Sequence, residues 1–420
     1  MMHNFLLEAE KKLPHFGSFD TVVVGGGFAG VAAALSAARN GASTCLIEKE
    51  FSLGGLGTLG LVVDYLPLCD GCGEKMVGGI GEELLILSGK YGNVNFPACW
   101  HDDGDAEARK KQRYELTYSP ASMILLMEEL LLEAGVTLYY DTRFCALSVQ
   151  DRMIQAIIVE NKSGRGAIYC KNVVDATGDA DVCALAGEST AESDQNVCAW
   201  WFYTETDGVL KLNRKTDNFY HITPEMPLYS GTKHQDVTAL CIETRRRIRE
   251  YTNAVRSGKS TGSSEMSHDG SGVLAATAQS TDQFPAILPT IPQYRMTRRV
   301  LTDYQLDEAD DGRWFDDCIG LTGDWRKRGP RYSIPYRSIC AVKTSNLLTA
   351  GRCISTSDSG WDIMRVIPTC AVTGEAAGAA AALAAKKTGG NTHDIDIREL
   401  QQMLKAQNVI LDSNLFQKEN

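Results

Sequence analysis

The sequence predicts an α/β fold: a parallel sheet with helices and an antiparallel meander, interleaved with a mixed α+β region. Three observations predict it. Residues 20–49 run as β-branched stretch, glycine turn, alanine-rich stretch, second apolar stretch and acid. Residues 144–170 hold three short apolar runs separated by turn residues. Two later stretches, Asn172–Asp181 and Asn346–Arg352, again run from apolar residues into a glycine.

Thr21–Val24 has the composition of a buried parallel strand. Gly25, Gly27 and Gly30 follow in G-x-G-x-x-G spacing. The first suits a tight turn, the second a close approach to a pyrophosphate, the third close packing of helix on strand. Phe28 to Ala38, beginning Phe28-Ala29-Gly30, is rich in helix formers, and its first N–H groups would face the phosphates. Ser43–Ile47 is a second strand, with Glu48 and Lys49 at its end. A carboxylate there can take both ribose hydroxyls and repels a 2′-phosphate. The whole reads as a Rossmann-like dinucleotide site.

Composition narrows the class. The 420 residues suffice for two interleaved domains, and 44% hydrophobic with 23% charged residues is ordinary for a globular chain. A net charge of −11 argues against nucleic acid or anionic membrane as a generic partner. The basic run Arg245–Arg249 lies in a helical pattern between Glu243 and Glu250 and reads as a solvated face. Residues 1–19 lack a secretory pattern, with a short helix expected over Leu6–Lys12. The longest apolar stretch, Ala371–Ala385, is short for a membrane span and carries Glu375. Thirteen scattered cysteines suggest reduced thiols, hence a cytoplasmic protein.

The chain divides into 1–196, with a loop and helical insertion at 67–118; a substrate or cap region at 197–332; and a return segment with a terminal helix at 333–420. Leu53-Gly54-Gly55-Leu56-Gly57-Thr58 reads as a loop passing close to a ligand, or as a plain connector. Cys69 and Cys72 form a C-x-x-C, a redox pair or half a metal site, with no second pair at metal spacing. No metal site is expected. Ser119-Pro120 caps a helix to Ala134, and Val136–Tyr140 is a strand. Phe144–Val149, Met153–Val159 and Gly166–Cys170 form the meander, delivering the chain into a separate strand at Asn172–Asp175. Val197–Thr204 is an aromatic strand, Asp236–Ser257 a helix, and 257–272 a Gly/Ser/Thr-rich loop. Phe284–Tyr294 carries three prolines and cannot be an interior strand throughout. Ile367 to Ala385 forms a small-residue helix whose N-terminus suits a developing anion.

Six motifs in order then carry a family likeness: G-x-G-x-x-G with Glu48, the Gly-Gly loop, V-D-A-T-G-D-A-D at 174–181, Tyr294-Arg-Met-Thr-Arg-Arg-Val300 with Tyr304 and Asp307, Tyr332-Ser-Ile-Pro-Tyr-Arg337, and T-A-G-R with T-G-E-A-A-G. Over roughly residues 20–385 the chain resembles the FAD-dependent oxidoreductases of the glutathione-reductase structural class. In particular it is similar to the bacterial family that includes the flavin part of heterodisulfide reductase A-like proteins. The resemblance implies FAD as cofactor, held by Gly25, Gly27, Gly30 and Glu48 at pyrophosphate and ribose. It implies Leu53–Thr58 on the phosphate and flavin side, Asp175–Asp179 (with Ala176, Thr177 and Gly178) over the adenine half, and Gly351 with Arg352 near the pyrophosphate or ribityl chain. It places a helix starting near Thr373 and Gly374 toward the flavin. Relatives often carry a histidine after G-R-C-I-S; here the chain reads Ser355-Thr-Ser-Asp358, so either Asp358 is the stand-in or the chemistry differs.

For chemistry, Arg295, Arg298 and Arg299 are candidates to grip an anionic or polar substrate group, or to pair with Asp303 or Asp307. Arg365 is a candidate to reach flavin or substrate, and Tyr332, Tyr336 and Asp358 are candidate proton carriers. His221 and His234 read as surface or packing residues, Cys353 as small and buried. The expected activity is hydride transfer between bound FAD and a small organic substrate, with an unidentified electron partner and homo-oligomerisation left open. The rivals are a thiol–disulfide reductase using Cys69 and Cys72, a flavin-binding scaffold, and an NAD-binding dehydrogenase in which the later motifs are coincidental.

Overall fold

The computed structural model describes residues 10–217, 222–258, 265–266, 273–274 and 282–417. Most of the expected N-terminal helix and of the 257–272 loop, and His221, lie outside these residues; Glu10–Lys12 are irregular.

A seven-stranded sheet forms the centre. In spatial order it runs Thr137–Tyr139, Thr44–Ile47, His15–Val24, Gly164–Asp175, Met153–Asn161 and Arg143–Gln150, and Leu347–Thr349 also pairs with Gly164–Asp175. The first four and Leu347–Thr349 are parallel, the meander antiparallel. Two strands are longer than the sequence suggests. The first begins at His15, because its half-exposed residues pair with Ala167–Cys170 beyond the apolar run. Gly164–Asp175 is one strand rather than two: the polar residues Lys171 and Asn172 continue the extended chain. Its first half pairs with the meander and its second half with Leu347–Thr349. This strand therefore carries the Ala176–Asp179 turn to the same sheet end as the glycine turn, since Val24 pairs with Asp175.

The helices and sheet pack into a first, large core, and a separate core is built around Trp200, Phe202, Leu240 and Tyr251. Phe202–Thr206, Val209–Asn213 and Phe284–Ile287 form an antiparallel sheet, and Phe202 is the start of the strand expected from Val197. Pro285 sits on the outer strand, where a missing N–H is tolerated. The His234–Arg256 helix buries Leu240, Thr244, Ile248, Tyr251 and Val255 at helical spacing, with Tyr251 edge-on to Phe202. On its outer side Arg246 and Arg247 pair with Glu243, Glu250 and Asp217. A boundary at 332 cuts a hairpin: Arg331–Pro335 pairs with Cys318–Gly323, and Ile319, Leu321, Tyr332 and Ile334 join the first core.

The helix Ile367–Lys387 threads that core, longer than the apolar stretch read from sequence. By length and composition it could span a membrane, but 89% of its apolar window is buried inside the protein. Its small residues let it touch the Phe28–Arg39 helix backbone to backbone. A Cβ on Gly374 would lie 2.2 Å from the Ala29 carbonyl oxygen, and one on Gly378 2.1 Å from that of Ala33. Glu375, between them, accepts the Ile80 N–H at 2.8 Å at the start of the Gly79–Leu87 helix. Burial pushes its carboxyl up to about 8; the Ile80 N–H and Arg39 pull it down, and Glu83 adds to the rise. The neutral form is the one the fold accommodates. Stability tied to this group is therefore full below the ordinary value of 4.5 and lost as pH climbs through 8. Glu375→Gln should flatten this loss, gaining on the order of 2–4 kcal/mol relative to wild type at pH 9 and little at pH 4. Paired thermal melts at the two pH values check it.

Candidate active site

At the sheet end shared by the glycine turn and the Ala176–Asp179 turn lies a cavity of about 690 Å³. Gly25, Gly27, Phe28, Ala29, Glu48, Lys49, Gly54, Gly55, Ala176, Thr177, Gly178, Asp179 and Arg352 line it. The three turn glycines differ in what surrounds them. Gly25 has φ +103° and its Cβ would meet the Ala176 carbonyl oxygen at 2.4 Å, so the fold itself demands glycine. Gly30 presses on the Gly25 carbonyl, its Cβ position 1.8 Å away, which ties helix to strand. Gly27 is different: a Cβ there meets nothing within 4 Å, at ordinary φ, facing the cavity. The helix it opens has no side-chain cap and no acid in its first turn, leaving its N–H dipoles open to an anion. A bare cradle beside an uncapped helix N-terminus fits the pyrophosphate of FAD.

Around this cradle the loops are braced to one another. Gly54 N–H donates to the Gly26 carbonyl at 2.7 Å, laying the Gly-Gly loop over the turn. Glu48 accepts the Gly26 N–H at 2.6 Å and the Glu50 N–H at 2.9 Å; burial raises its carboxyl pKa and these bonds oppose the rise. Asp175 is fully buried and points inward, accepting the Thr177 and Cys183 N–H groups, so it shapes the turn instead of lining the cavity. Arg352 donates to Asp179 at 2.8 Å and to the Tyr294 carbonyl at 2.7 Å, clasping the second region onto the first.

Several expected contacts are corrected. Gly30, Thr58, Gly351, Thr373 and Gly374 do not line the cavity. Thr58 is buried with its hydroxyl on the Leu53 carbonyl, and Thr373 donates to Thr369 and accepts the Gly351 N–H at 2.9 Å. The core helix begins at Ile367, with Pro368 in its first turn, so Ile367 and Cys370 reach the cavity and Gly374 packs on Ala29. Residues the sequence reading missed complete the lining, among them Arg143, Phe144, Asp181, Leu185 and Tyr294.

A second cavity of about 310 Å³ adjoins the first, and Arg365 lines both. Arg295 and Asp358 line it, as do Trp201, Arg214, Trp325, Arg326 and Asp362, none of which sequence reasoning singled out. The remaining chemical candidates fall elsewhere. Arg298 lines the first cavity and pairs with Asp181 at 2.6 Å and Glu192 at 3.5 Å, rather than with Asp303 or Asp307. Arg299 is buried on the Trp361 ring at 4.5 Å and pairs with Asp358 at 2.8 Å. Tyr336 is buried in the core, donating to the Thr392 carbonyl at 2.8 Å, and Tyr332 donates to the Glu308 carbonyl; neither lines either of these two cavities. Neither is a proton carrier. His234 is exposed, outside both cavities. Cys353 is buried with its thiol on the Asp175 carbonyl. Cys69 is buried, Cys72 exposed, and neither lines either of these two cavities, where a disulfide reductase would need the pair beside the cofactor. Among the described residues no cluster of three or more His, Cys, Asp or Glu could hold a metal.

The fold and the cradle define a dinucleotide-binding protein, and comparison with known families makes it specific. The family model described as FAD dependent oxidoreductase matches residues 20–199 and 188–404. The chain belongs to that family, and its cofactor is FAD. Among solved structures it is similar to a geranylgeranyl bacteriochlorophyll reductase-like protein from Thermoplasma acidophilum, 11% identical over 95% of this chain and 90% of that one, TM-score 0.45. It is similar to the open conformation of a flavocytochrome c3 fumarate reductase, 15% identical over 88% and 78%, TM-score 0.42. Its match to Thermovibrio ammonificans THI4 is 18% identical and spans 41% of this chain and 64% of that one, TM-score 0.29.

Proposed function

We propose that this oxidoreductase transfers a hydride between FAD in the first cavity and a small organic substrate in the second. The observation that carries the reading is the shared wall: two adjoining cavities, one with a dinucleotide cradle, have Arg365 in common. When bound, FAD supplies the hydride-accepting or hydride-donating ring. The chain supplies placement. Gly27 and the first-turn N–H groups take the pyrophosphate, while Glu48 and Lys49 stand on the ribose side. The N-terminus of the core helix, at Ile367 and Cys370, offers partial positive charge to the reduced ring. Asp362 holds Arg365 between the cavities. Asp358, lining the second cavity and paired with Arg299, is the carboxylate able to take or return the substrate proton.

The reaction is oxidation of a CH–OH or CH–CH unit, or its reverse. The likeness to the glutathione-reductase class and heterodisulfide reductase A flavin part, a substrate region that begins near residue 197 and ends before the Cys318–Pro335 hairpin, and a cytoplasmic location belong to the same proposal. An anaerobic screen tests it: purified holoenzyme is mixed with alcohols, hydroxy compounds and saturated chains while the flavin band is followed. Bleaching by one compound, reversed by its oxidised partner, is expected. A FAD-replete protein that no small molecule reduces, and whose reduced form no small molecule oxidises, favours the scaffold.

A further inference from the structure

The second cavity carries an unbalanced charge. Four arginines line it: Arg214, Arg295, Arg326 and Arg365. Three have a carboxylate: Arg214 pairs with Asp64 at 2.8 Å, Arg326 with Asp324 at 2.9 Å, and Arg365 with Asp362. The acids of the lining are likewise committed, since Asp358 is held by Arg299. Once these pairs are set against one another, Arg295 remains. Among the described residues it has no ion pair; one side-chain N–H reaches the Gln293 carbonyl at 3.2 Å, and the guanidinium lies over the Trp201 ring at 5.7 Å. The rest of its planar donor fork is uncommitted. Burial, then the charges of Arg365 and Arg352, push its pKa down to about 9, with Asp362 and Asp64 pulling the other way, so an anion bound directly to the guanidinium would stabilise its charged form.

The surroundings limit what that anion can be. About 310 Å³ admits only a small molecule, and Val62, Leu66, Val197, Trp201 and Trp325 give the cavity apolar and aromatic walls. A planar guanidinium fork matches a carboxylate in two-point geometry; the Trp201 ring already carries the Arg295 and Arg214 guanidiniums, and the remaining apolar and aromatic wall of Val62, Leu66, Val197 and Trp325 suits a small flat body. We propose that the second cavity recognises a small, flat carboxylate and that Arg295 is the residue that grips it. This rests on the reading of that cavity as the substrate site and narrows its substrate class. Arg295 orients the carboxylate; the hydride still moves at a carbon elsewhere on the molecule.

The test uses the FAD-loaded full-length chain and two probes of nearly equal shape, benzoate and benzamide, in calorimetric titrations. Benzoate should bind at least about tenfold tighter than its neutral analogue, the difference expected of one charge-assisted fork. Arg295→Gln should lose about tenfold for benzoate and leave benzamide within about twofold; Arg295→Lys, which keeps charge without the fork, should fall between them. Equal binding of the two probes by wild type, or no binding of either at about 10 mM, overturns the proposal even if the variants fail to fold. So does undiminished benzoate affinity in a folded Arg295→Gln protein. Failure of the functional reading looks different: there the chain lacks FAD, or flavin reduction never occurs, whatever the probes do.

Discussion

Gly27→Val should yield a folded protein without flavin. Of Gly25, Gly27 and Gly30 it alone has a Cβ position that meets no protein atom, and its φ is ordinary for any residue. The chain alone therefore has no reason to require glycine there. A branched side chain would project into the cavity lined by Gly25–Ala29, where the pyrophosphate backbone contacts are made. Cofactor content should fall from about one FAD per chain to under about a tenth, with the melting temperature of apo-protein nearly unchanged. Stoichiometric FAD in the variant contradicts the assigned cradle. Gly25→Val is the control in the opposite sense: its Cβ would strike the Ala176 carbonyl, so folding itself should suffer.

Gly374→Val and Gly378→Val should destabilise the fold strongly although neither position touches the cavity. Each Cβ would lie at about two thirds of a van der Waals contact from a carbonyl of the Phe28–Arg39 helix, at 2.2 and 2.1 Å. Both helices are buried on nearly every side, so neither can move away without opening the core. A cost of about 3 kcal/mol or more per site is expected, read as a lowered denaturant midpoint or loss of soluble protein. The milder Gly374→Ala separates two roles. Lower stability with FAD affinity retained in the folded fraction is the packing result. Wild-type stability with weakened FAD would return Gly374 to the cofactor.

These two predictions show where the sequence was informative. Gly25, Gly27 and Gly30 were legible because their roles depend on spacing along one turn, and local geometry follows from spacing. The helix at Ile367 announced its start through Pro368, a first-turn proline, but the T-G-E-A-A-G motif drew attention to Gly374 instead. Arg298 and Arg299 were recognisable as important cations, yet their partners Asp181 and Asp358 lie in other elements, which no local pattern specifies. Tyr336 looked chemical because of its hydroxyl; only the fold shows that hydroxyl spent on the Thr392 carbonyl. The second cavity was the least legible feature. Its wall is gathered from Val62–Leu66, Gln195–Thr216, Arg295, Trp325 and Asp358–Arg365, so it exists only after the two cores have docked.

The central claim is that the cavity at the end of the parallel sheet holds FAD, and the visible spectrum of the purified protein tests it most directly. Two flavin absorption bands, with FAD identified by chromatography of the heat-released cofactor at about one per chain, are the predicted result. A protein that is colourless, and stays colourless and unshifted in melting temperature after incubation with FAD, contradicts it.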